Sequence, residues 1–205
     1  MEETVMSENA AIIKVAAICG SLRRASFNRG LIRCAMKLCE DEIIGMQIEL
    51  ADIASLPLIN TDLEIDGGYP AAVDAFRRII LDADSILFAS PEYNYSLSAP
   101  LKNAIDWASR PPNVMAGKTA AVVSAAGGSA GQRSQYHLRQ AGVFLDLRFI
   151  NKPELFILGR KPPNKFDGDG NLIDSEIKTR LKEVLLSLQS FTRRHKNGMQ
   201  KINEL

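Results

Sequence analysis

The chain has 205 residues, of which 46% are apolar and 24% are charged, a balance typical of one globular domain. The formal net charge of +1 argues against a nucleic-acid-binding protein, which is usually basic, and against a dedicated electron carrier, which is usually acidic. Cys19, Cys34 and Cys39 are odd in number and lack close pairs, so they indicate neither a disulfide framework nor a zinc site. Reduced thiols and no recognisable secretion signal favour a cytoplasmic location. No apolar run approaches the roughly 20 residues of a membrane span.

The predicted elements alternate between strands and helices along the chain. Residues 1–11 precede them and are expected to form a disordered leader. In chain order the elements are a buried strand at 12–19, a helix around 31–39, a strand at 46–53, a helix at 70–83, a strand at 85–90, a helix at 99–109, a strand at 119–125, a helix at 131–144, an extended stretch at 146–158 that Pro153 interrupts, and a helix at 173–191. Proline and glycine clusters predict loops at 56–70 and 159–172.

This alternation predicts an α/β fold, in which helices cover both faces of a parallel sheet. Five strands and five helices match the flavodoxin-like, doubly wound arrangement with a five-stranded sheet in the order 2-1-3-4-5. We expect one such domain over residues 12–192, followed by a frayed polar tail over residues 193–205. Because sheets of this kind bind ligands where their strands end, the loops after the first, third and fourth strands form the candidate site.

The loop after the first strand, Gly20–Asn28, has the composition of an anion-binding site. It leads into a helix start, where free N–H groups and the positive end of the helix dipole attract a phosphate. Ser21, Ser26 and Asn28 add neutral donors, and Arg23 adds a guanidinium that fits phosphate oxygens. The lysine of nucleotide-hydrolysing loops and the glycine pattern of dinucleotide sites are both missing. The alternative is that Ser26 and Asn28 merely cap the helix.

Two further loops complete the predicted site. The loop after the third strand, Ser90–Ser96, combines a proline turn with two tyrosines and suits a flat, mostly apolar ring. The loop after the fourth strand, Ser124–Gly131, consists of small residues whose backbone can approach a ligand and offer N–H groups to a charged edge. Ordinary packing is the alternative for Tyr93 and Tyr95. An exposed Glu92 is ionised near neutral pH, which disfavours a role as general acid.

Three motifs give the chain a resemblance to a known family. They are Gly-Ser-Leu-Arg-x-x-Ser-Phe-Asn-Arg from Gly20, Pro-Glu-Tyr-Asn-Tyr-Ser from Pro91 and Leu-Lys-Asn-Ala-Ile-Asp-Trp from Leu101. Together they resemble the NADPH-dependent FMN reductase family, and the resemblance runs from about Ile13 to Phe191. It implies a bound FMN, NADPH or NADH as co-substrate, a ping-pong cycle of hydride transfer that reduces quinones by two electrons, and a homodimer or homotetramer.

The loops and the resemblance together predict a set of cofactor-binding residues. They are Ser21, Leu22, Arg23, Ser26, Phe27 and Asn28 in the first loop, Pro91, Glu92, Tyr93 and Asn94 in the second, and Ser124, Ala126, Gly127 and Gly128 in the third. Because a flavin carries the chemistry itself, neither a catalytic side chain nor a metal is required. Arg24 and Arg110 are both candidates for binding the 2′-phosphate of NADPH.

Two other functions remain open from the sequence. A flavin-binding electron carrier or redox sensor would use the same site, although the near-neutral charge disfavours a carrier. Gly127–Gly131 also matches G-x-S-x-G, the nucleophile elbow of serine hydrolases, with Ser129 as the nucleophile. The histidine that activates this serine would have to be His195, which lies in a basic tail. The other histidine, His137, follows Ser129 too closely in the chain.

Overall fold

The structure is a computed structural model that describes residues 11–203, and the side chains of residues 11–200. Its strands are β1 (Ile13–Cys19), β2 (Met46–Leu50), β3 (Ser85–Ala89), β4 (Thr119–Ala126), β5 (Arg148–Phe149) and β6 (Leu155–Leu158). They form one sheet in the order β2-β1-β3-β4-β5, with β6 also paired with β4, and each of these pairings is parallel. The predicted flavodoxin-like fold and strand order are confirmed.

Helices cover both faces of the sheet. They are α1 (Phe27–Asp41), α2 (Ala71–Asp82), α3 (Ala99–Ala108), α4 (Gln132–Phe144) and α5 (Ser175–Asn203). One buried apolar cluster joins α1 and α5 to one face, and a second joins α2, α3 and α4 to the other. Along β1, Val15 and Ala17 belong to the first cluster, whereas Ala16 and Ile18 belong to the second. Successive strand residues point to opposite faces, so burial on both faces explains the uninterrupted apolar runs of the strands.

The fifth position of the sheet holds two short strands in place of one. At the start of β4, Thr119 is paired with Arg148 of β5, and further along Val123 is paired with Leu155 of β6. Pro153 lies between the two short strands, and its missing N–H cannot contribute to the ladder. The interruption that the sequence predicts at this proline is therefore present, and β6 continues to the same edge of the sheet as the end of β4.

The last helix corrects the predicted C-terminal boundary. The sequence predicts fraying from Arg193, but α5 continues through this segment to residue 203. Side-chain contacts hold it near the amino ends of the strands: His195 Nε2 lies 3.1 Å from the carbonyl oxygen of Gly117 and 2.7 Å from Arg148 Nη1, and Lys196 forms an ion pair with Asp84. The polar composition of this segment therefore reflects contacts with the amino edge of the sheet and with solvent.

The carboxyl ends of the central strands lie side by side, which brings the three loops together. The Gly20 N–H donates to the carbonyl oxygen of Ala89 at 2.9 Å, and the Ser90 N–H donates to that of Val123 at 3.0 Å. The predicted leader lies outside the described residues except for Ala11, which is exposed and in neither a helix nor a strand. Within the described part of the chain, none of the helices combines the length and apolar character needed to cross a membrane.

Candidate functional site

The first loop ends at α1, and Ser26 is the N-cap residue of this helix. Its buried Oγ accepts a hydrogen bond from the Arg29 N–H at 3.5 Å. The amides of Phe27 and Asn28 stand in the first turn, where N–H groups have no intrahelical acceptor. No acidic side chain occupies that turn, and Arg23 is exposed beside it. The helix start thus offers backbone donors and a guanidinium, which together are the donor set of a phosphate site.

Asn28 ties the first loop to the third. Its Nδ2 donates to the carbonyl oxygen of Ala125 at 2.8 Å, and its Oδ1 accepts from the Ala125 N–H at 3.0 Å. The residue is only 3% exposed. These two bonds explain why an asparagine stands at this position even without a contact to a phosphate. They modify the prediction that the Asn28 amide donates a hydrogen bond to the phosphate.

The second loop contains a tight turn. Tyr93 and Ser96 exchange two backbone hydrogen bonds, of 3.0 and 2.9 Å, and between them Asn94 and Tyr95 have φ angles of 48° and 65°. Positive φ at both central positions is the geometry of a type I′ turn. A positive φ is unfavourable for a tyrosine, so contacts from other parts of the chain must stabilise the turn. One such contact is a cation–π interaction, in which the guanidinium of Arg133 lies 3.7 Å above the centre of the Tyr95 ring.

Glu92 fixes the second loop to the start of α4. Its carboxylate accepts hydrogen bonds from the backbone N–H and from the guanidinium of Arg133, both at 3.0 Å, and its side chain is 7% exposed. Burial raises the pKa of Glu92, but hydrogen bonds from Ser129 and Arg133 outweigh it and leave the pKa below its usual value. Gly131, the N-cap of α4, offers no side-chain acceptor, so Glu92 supplies one. The lowered pKa favours the ionised carboxylate at neutral pH and so disfavours a role as general acid.

The third loop leaves open space at two glycines. A Cβ on Gly127 or Gly128 would meet no atom within 4 Å in the described part of the chain, and neither residue has a positive φ. Gly131 differs, because its φ is 87° and a Cβ there would overlap with the side chain of Ser124. The buried Ser124 hydroxyl donates to the carbonyl oxygen of Ala130 at 2.7 Å. Ser124 therefore shapes the loop from behind and does not present its side chain to a ligand.

The three loops line connected cavities at the carboxyl edge of the sheet. The first cavity, of about 300 Å³, is lined by Ser21, Arg23, Ser26, Phe27, Asn28, Pro91, Glu92, Tyr93, Ala125, Ala126, Gly127 and Arg160. It shares Glu92 and Gly127 with a cavity of about 490 Å³, and Ser21, Arg23 and Tyr93 with one of about 690 Å³. The predicted residues outside the first cavity line the other two, except Ser124, which lines none of the three. Ala125 and Arg160 of the first cavity were not predicted. The signal for Arg160 is its position two residues after the end of the last strand, at the same edge of the sheet as the three loops.

The structure contradicts the serine hydrolase alternative. Ser129 follows the carboxyl end of β4, whereas His195 contacts Gly117, which precedes the amino end of the same strand. The two residues therefore lie at opposite edges of the sheet. The other histidine, His137, places its Nδ1 3.0 Å from the hydroxyl of Ser96 and so is engaged with the second loop.

A flavodoxin-like sheet that gathers a helix start, an aromatic turn and a glycine loop at its switch point belongs to the class of flavin-binding proteins. Comparison with known families makes this specific. The model described as NADPH-dependent FMN reductase matches residues 13–159, and the chain belongs to this family.

Similar proteins are known from plants and bacteria. The chain is 64% identical to an NADPH:quinone oxidoreductase of Arabidopsis thaliana, covering 89% of this chain and 93% of the relative. It is 39% identical to a quinone reductase of Escherichia coli, covering 90% of this chain and 97% of the relative. Among solved structures, the flavoenzyme NAD(P)H:(acceptor) oxidoreductase FerB of Paracoccus denitrificans superposes with a TM-score of 0.78 at 30% identity, covering 90% of this chain and 99% of that one.

Proposed function

We propose that this chain is an FMN-dependent NAD(P)H:quinone oxidoreductase. The observation that carries the proposal is the convergence of three chemically distinct loops on one edge of the sheet, in a chain of the FMN reductase family. The similarity to quinone oxidoreductases over most of the chain supports a quinone as the acceptor. When bound, FMN accepts hydride from NADPH or NADH and delivers two electrons to the quinone in a ping-pong cycle. The tasks of the protein are to hold the cofactor and to admit the two substrates in turn.

The residues of the first cavity fit FMN. Ser21, Arg23 and the first amides of α1 would bind the phosphate, and residues 91–94 would support the ring system. Residues 126–128 would approach the charged edge of the ring with their backbone. Neither sterics nor backbone conformation within the protein requires glycine at Gly127 or Gly128, so the space that they leave open suits a ligand bound close to the main chain.

The largest of the three cavities provides a place for the substrates. Leu22, Leu97 and Pro100 give it an apolar lining that suits a quinone ring, and Tyr93 joins it to the first cavity. Of the two arginines predicted to bind the 2′-phosphate of NADPH, Arg110 is engaged by Glu64 through hydrogen bonds of 2.5 and 3.1 Å. Arg24, which is exposed at the first loop, is therefore the better candidate.

The assembly and the location of the protein are also proposals. At the end of α4, Val143 and Phe144 are 83% and 87% exposed, which favours a homodimer or homotetramer in which a second copy covers them. Light scattering of the purified protein measures this directly. We also propose a cytoplasmic location, a reducing compartment in which Cys19, Cys34 and Cys39 would remain free thiols.

Absorbance spectroscopy followed by anaerobic titration with NADPH tests the proposed function. The purified protein is expected to be yellow, to release FMN on heating and to lose its visible absorbance when NADPH is added. Steady-state assays in which NADPH and a benzoquinone are both varied are expected to give the parallel double-reciprocal lines of a ping-pong cycle. Colourless protein that cannot be reconstituted with FMN would refute the proposal, and flavin reduction without sustained NADPH consumption would favour an electron carrier.

A further inference from the structure

We propose that Arg160 is a second phosphate-binding residue of this site, in addition to Arg23. The inference rests on the proposed function, because its ligand is a phosphate monoester carried either by FMN or, as the 2′-phosphate, by NADPH. Arg160 lines the first cavity together with Ser21, Arg23 and Ser26. It lies outside the three loops predicted from the sequence and reaches the cavity from the end of β6.

The main chain before Arg160 is held in place on two sides. The Gly159 N–H donates to the carbonyl oxygen of Ala126 at 3.0 Å, which extends the pairing of β6 with β4 by one residue. A Cβ on Gly159 would lie 2.6 Å from a ring carbon of Phe27, so glycine is what allows the strand end to pass against the first residue of α1. The backbone that carries Arg160 is therefore fixed relative to both the third loop and the first loop.

The segment after Arg160 is also anchored to α1. Phe166 stacks on Phe27 with ring centroids 4.4 Å apart and an angle of 14° between the rings. Arg33 donates to the side chain of Asn171 at 2.8 Å and to the carbonyl oxygen of Asp169 at 3.2 Å. The chain is thus attached to the rest of the protein both before and after Arg160. The distance between Arg160 and the start of α1 is therefore set by the fold.

The guanidinium of Arg160 has no carboxylate partner in the part of the chain that the structure describes. Arg29, Arg110 and Arg133 are, by contrast, each paired with an acidic residue. A phosphate monoester carries about 1.5 to 2 negative charges at neutral pH. Arg23 offers one positive charge, and a helix start offers about half a charge. Together these give about 1.5 positive charges, less than a fully ionised phosphate monoester carries, and the guanidinium of Arg160 in the same cavity supplies the charge that is missing.

The test compares Arg160→Gln with Lys161→Gln, which removes the same charge one residue further on, from an exposed side chain that lines none of the three cavities. Full-length protein freed of flavin is titrated with FMN and with riboflavin, and the KM values for NADPH and NADH are measured after reconstitution. If Arg160 binds the FMN phosphate, Arg160→Gln weakens FMN binding about tenfold, as expected for a charge-assisted hydrogen bond, and leaves riboflavin binding unchanged. If Arg160 binds the 2′-phosphate, the KM for NADPH rises by a similar factor and that for NADH does not.

Two results would overturn the inference. The first is an Arg160→Gln protein that matches Lys161→Gln in all four measurements. The second is an equal loss of affinity for FMN and riboflavin, which would mean that Arg160 shapes the cavity without contacting a phosphate. Unsubstituted protein that binds neither flavin would refute the proposed function itself, so that failure is distinguishable from a failure that concerns Arg160 alone.

Discussion

Replacing Asn28 with alanine separates two roles that this residue can have in a flavin site. In the structure its amide makes two hydrogen bonds to the backbone of Ala125, at 2.8 and 3.0 Å, in a buried place. Each neutral hydrogen bond contributes about 1 kcal/mol, and a buried N–H or C=O left without a partner costs about 1 to 3 kcal/mol. We therefore expect Asn28→Ala to lower the free energy of unfolding by about 3 kcal/mol.

Thermal unfolding of flavin-free protein measures this loss without a contribution from ligand binding. For a domain of 150 to 250 residues, each kcal/mol shifts Tm by about 2 to 4 °C, so Asn28→Ala is expected to lower Tm by roughly 6 to 12 °C. FMN and riboflavin should then lose affinity by the same factor, because the substitution loosens the third loop and leaves the phosphate contacts in place. Asn103→Ala is the matched control, since Asn103 makes a similar pair of bonds to the backbone of Pro57 and Ile59 and lines none of the three cavities.

The opposite pattern would refute this reasoning. If Asn28→Ala left the Tm of the flavin-free protein unchanged and weakened FMN but not riboflavin, its side chain would be a direct phosphate ligand, and the bonds to Ala125 would contribute little. The control is expected to lower Tm and to leave both flavin affinities unaltered. A loss of flavin affinity in Asn103→Ala would show that destabilisation alone impairs the site.

Three further predictions concern the same loops. Arg23→Ala should weaken FMN binding more than Ser26→Ala, because charge-assisted hydrogen bonds are roughly twice as strong as neutral ones, and calorimetric titration of the two variants checks the ranking. The lowered pKa of Glu92 means that its carboxylate stabilises the fold above its ordinary pKa of about 4.3 and that this contribution is lost as pH falls through the lowered value. The difference in Tm between unsubstituted protein and Glu92→Gln should therefore be constant from pH 6 to 8 and should vanish in acid, as pH-dependent calorimetry would show. A serine-directed fluorophosphonate should leave Ser129 unlabelled in gel fluorescence, since no histidine activates it.

The sequence predicts the fold well because the fold depends on local patterns. Apolar runs of strand length alternate with amphipathic helices, and the right-handed crossovers of parallel sheets leave few arrangements for such a chain. The C-terminal segment shows the limit of this reasoning. Arg193 and its neighbours are polar, which locally predicts fraying, but His195 and Lys196 contact Gly117 and Asp84 at the amino edge of the sheet. A contact between residues distant in sequence leaves no periodic signal.

The same limit applies to the site. The three loops could be located because the strands that precede them end at one edge, and most of the residues that line the first cavity were predicted. Most of the residues that line the largest cavity were not. What could not be predicted is which side chains bind a ligand and which hold the loops. From the sequence, Ser124 and Asn28 are polar residues of the predicted cofactor-binding loops, but in the structure their side chains hydrogen-bond to the backbone of Ala130 and Ala125. Arg160 was missed because the proposed phosphate motif ends far before it in the chain.

The hydrogen bonds that hold the loops also connect them to one another. Asn28 joins the first loop to the end of β4. Ser98, the N-cap residue of α3 just after the second loop, donates its hydroxyl to the carbonyl oxygen of Gly20 at 2.5 Å and so joins the start of α3 to the first loop. Glu92 joins the second loop to Arg133 at the start of α4, after the third loop. Residues linked in this way are expected to be energetically coupled. Substitutions at these links should therefore affect FMN and riboflavin alike, because they move the whole cavity. Substitutions of a phosphate-binding guanidinium should discriminate between the two flavins, and this difference assigns each residue to one role or the other.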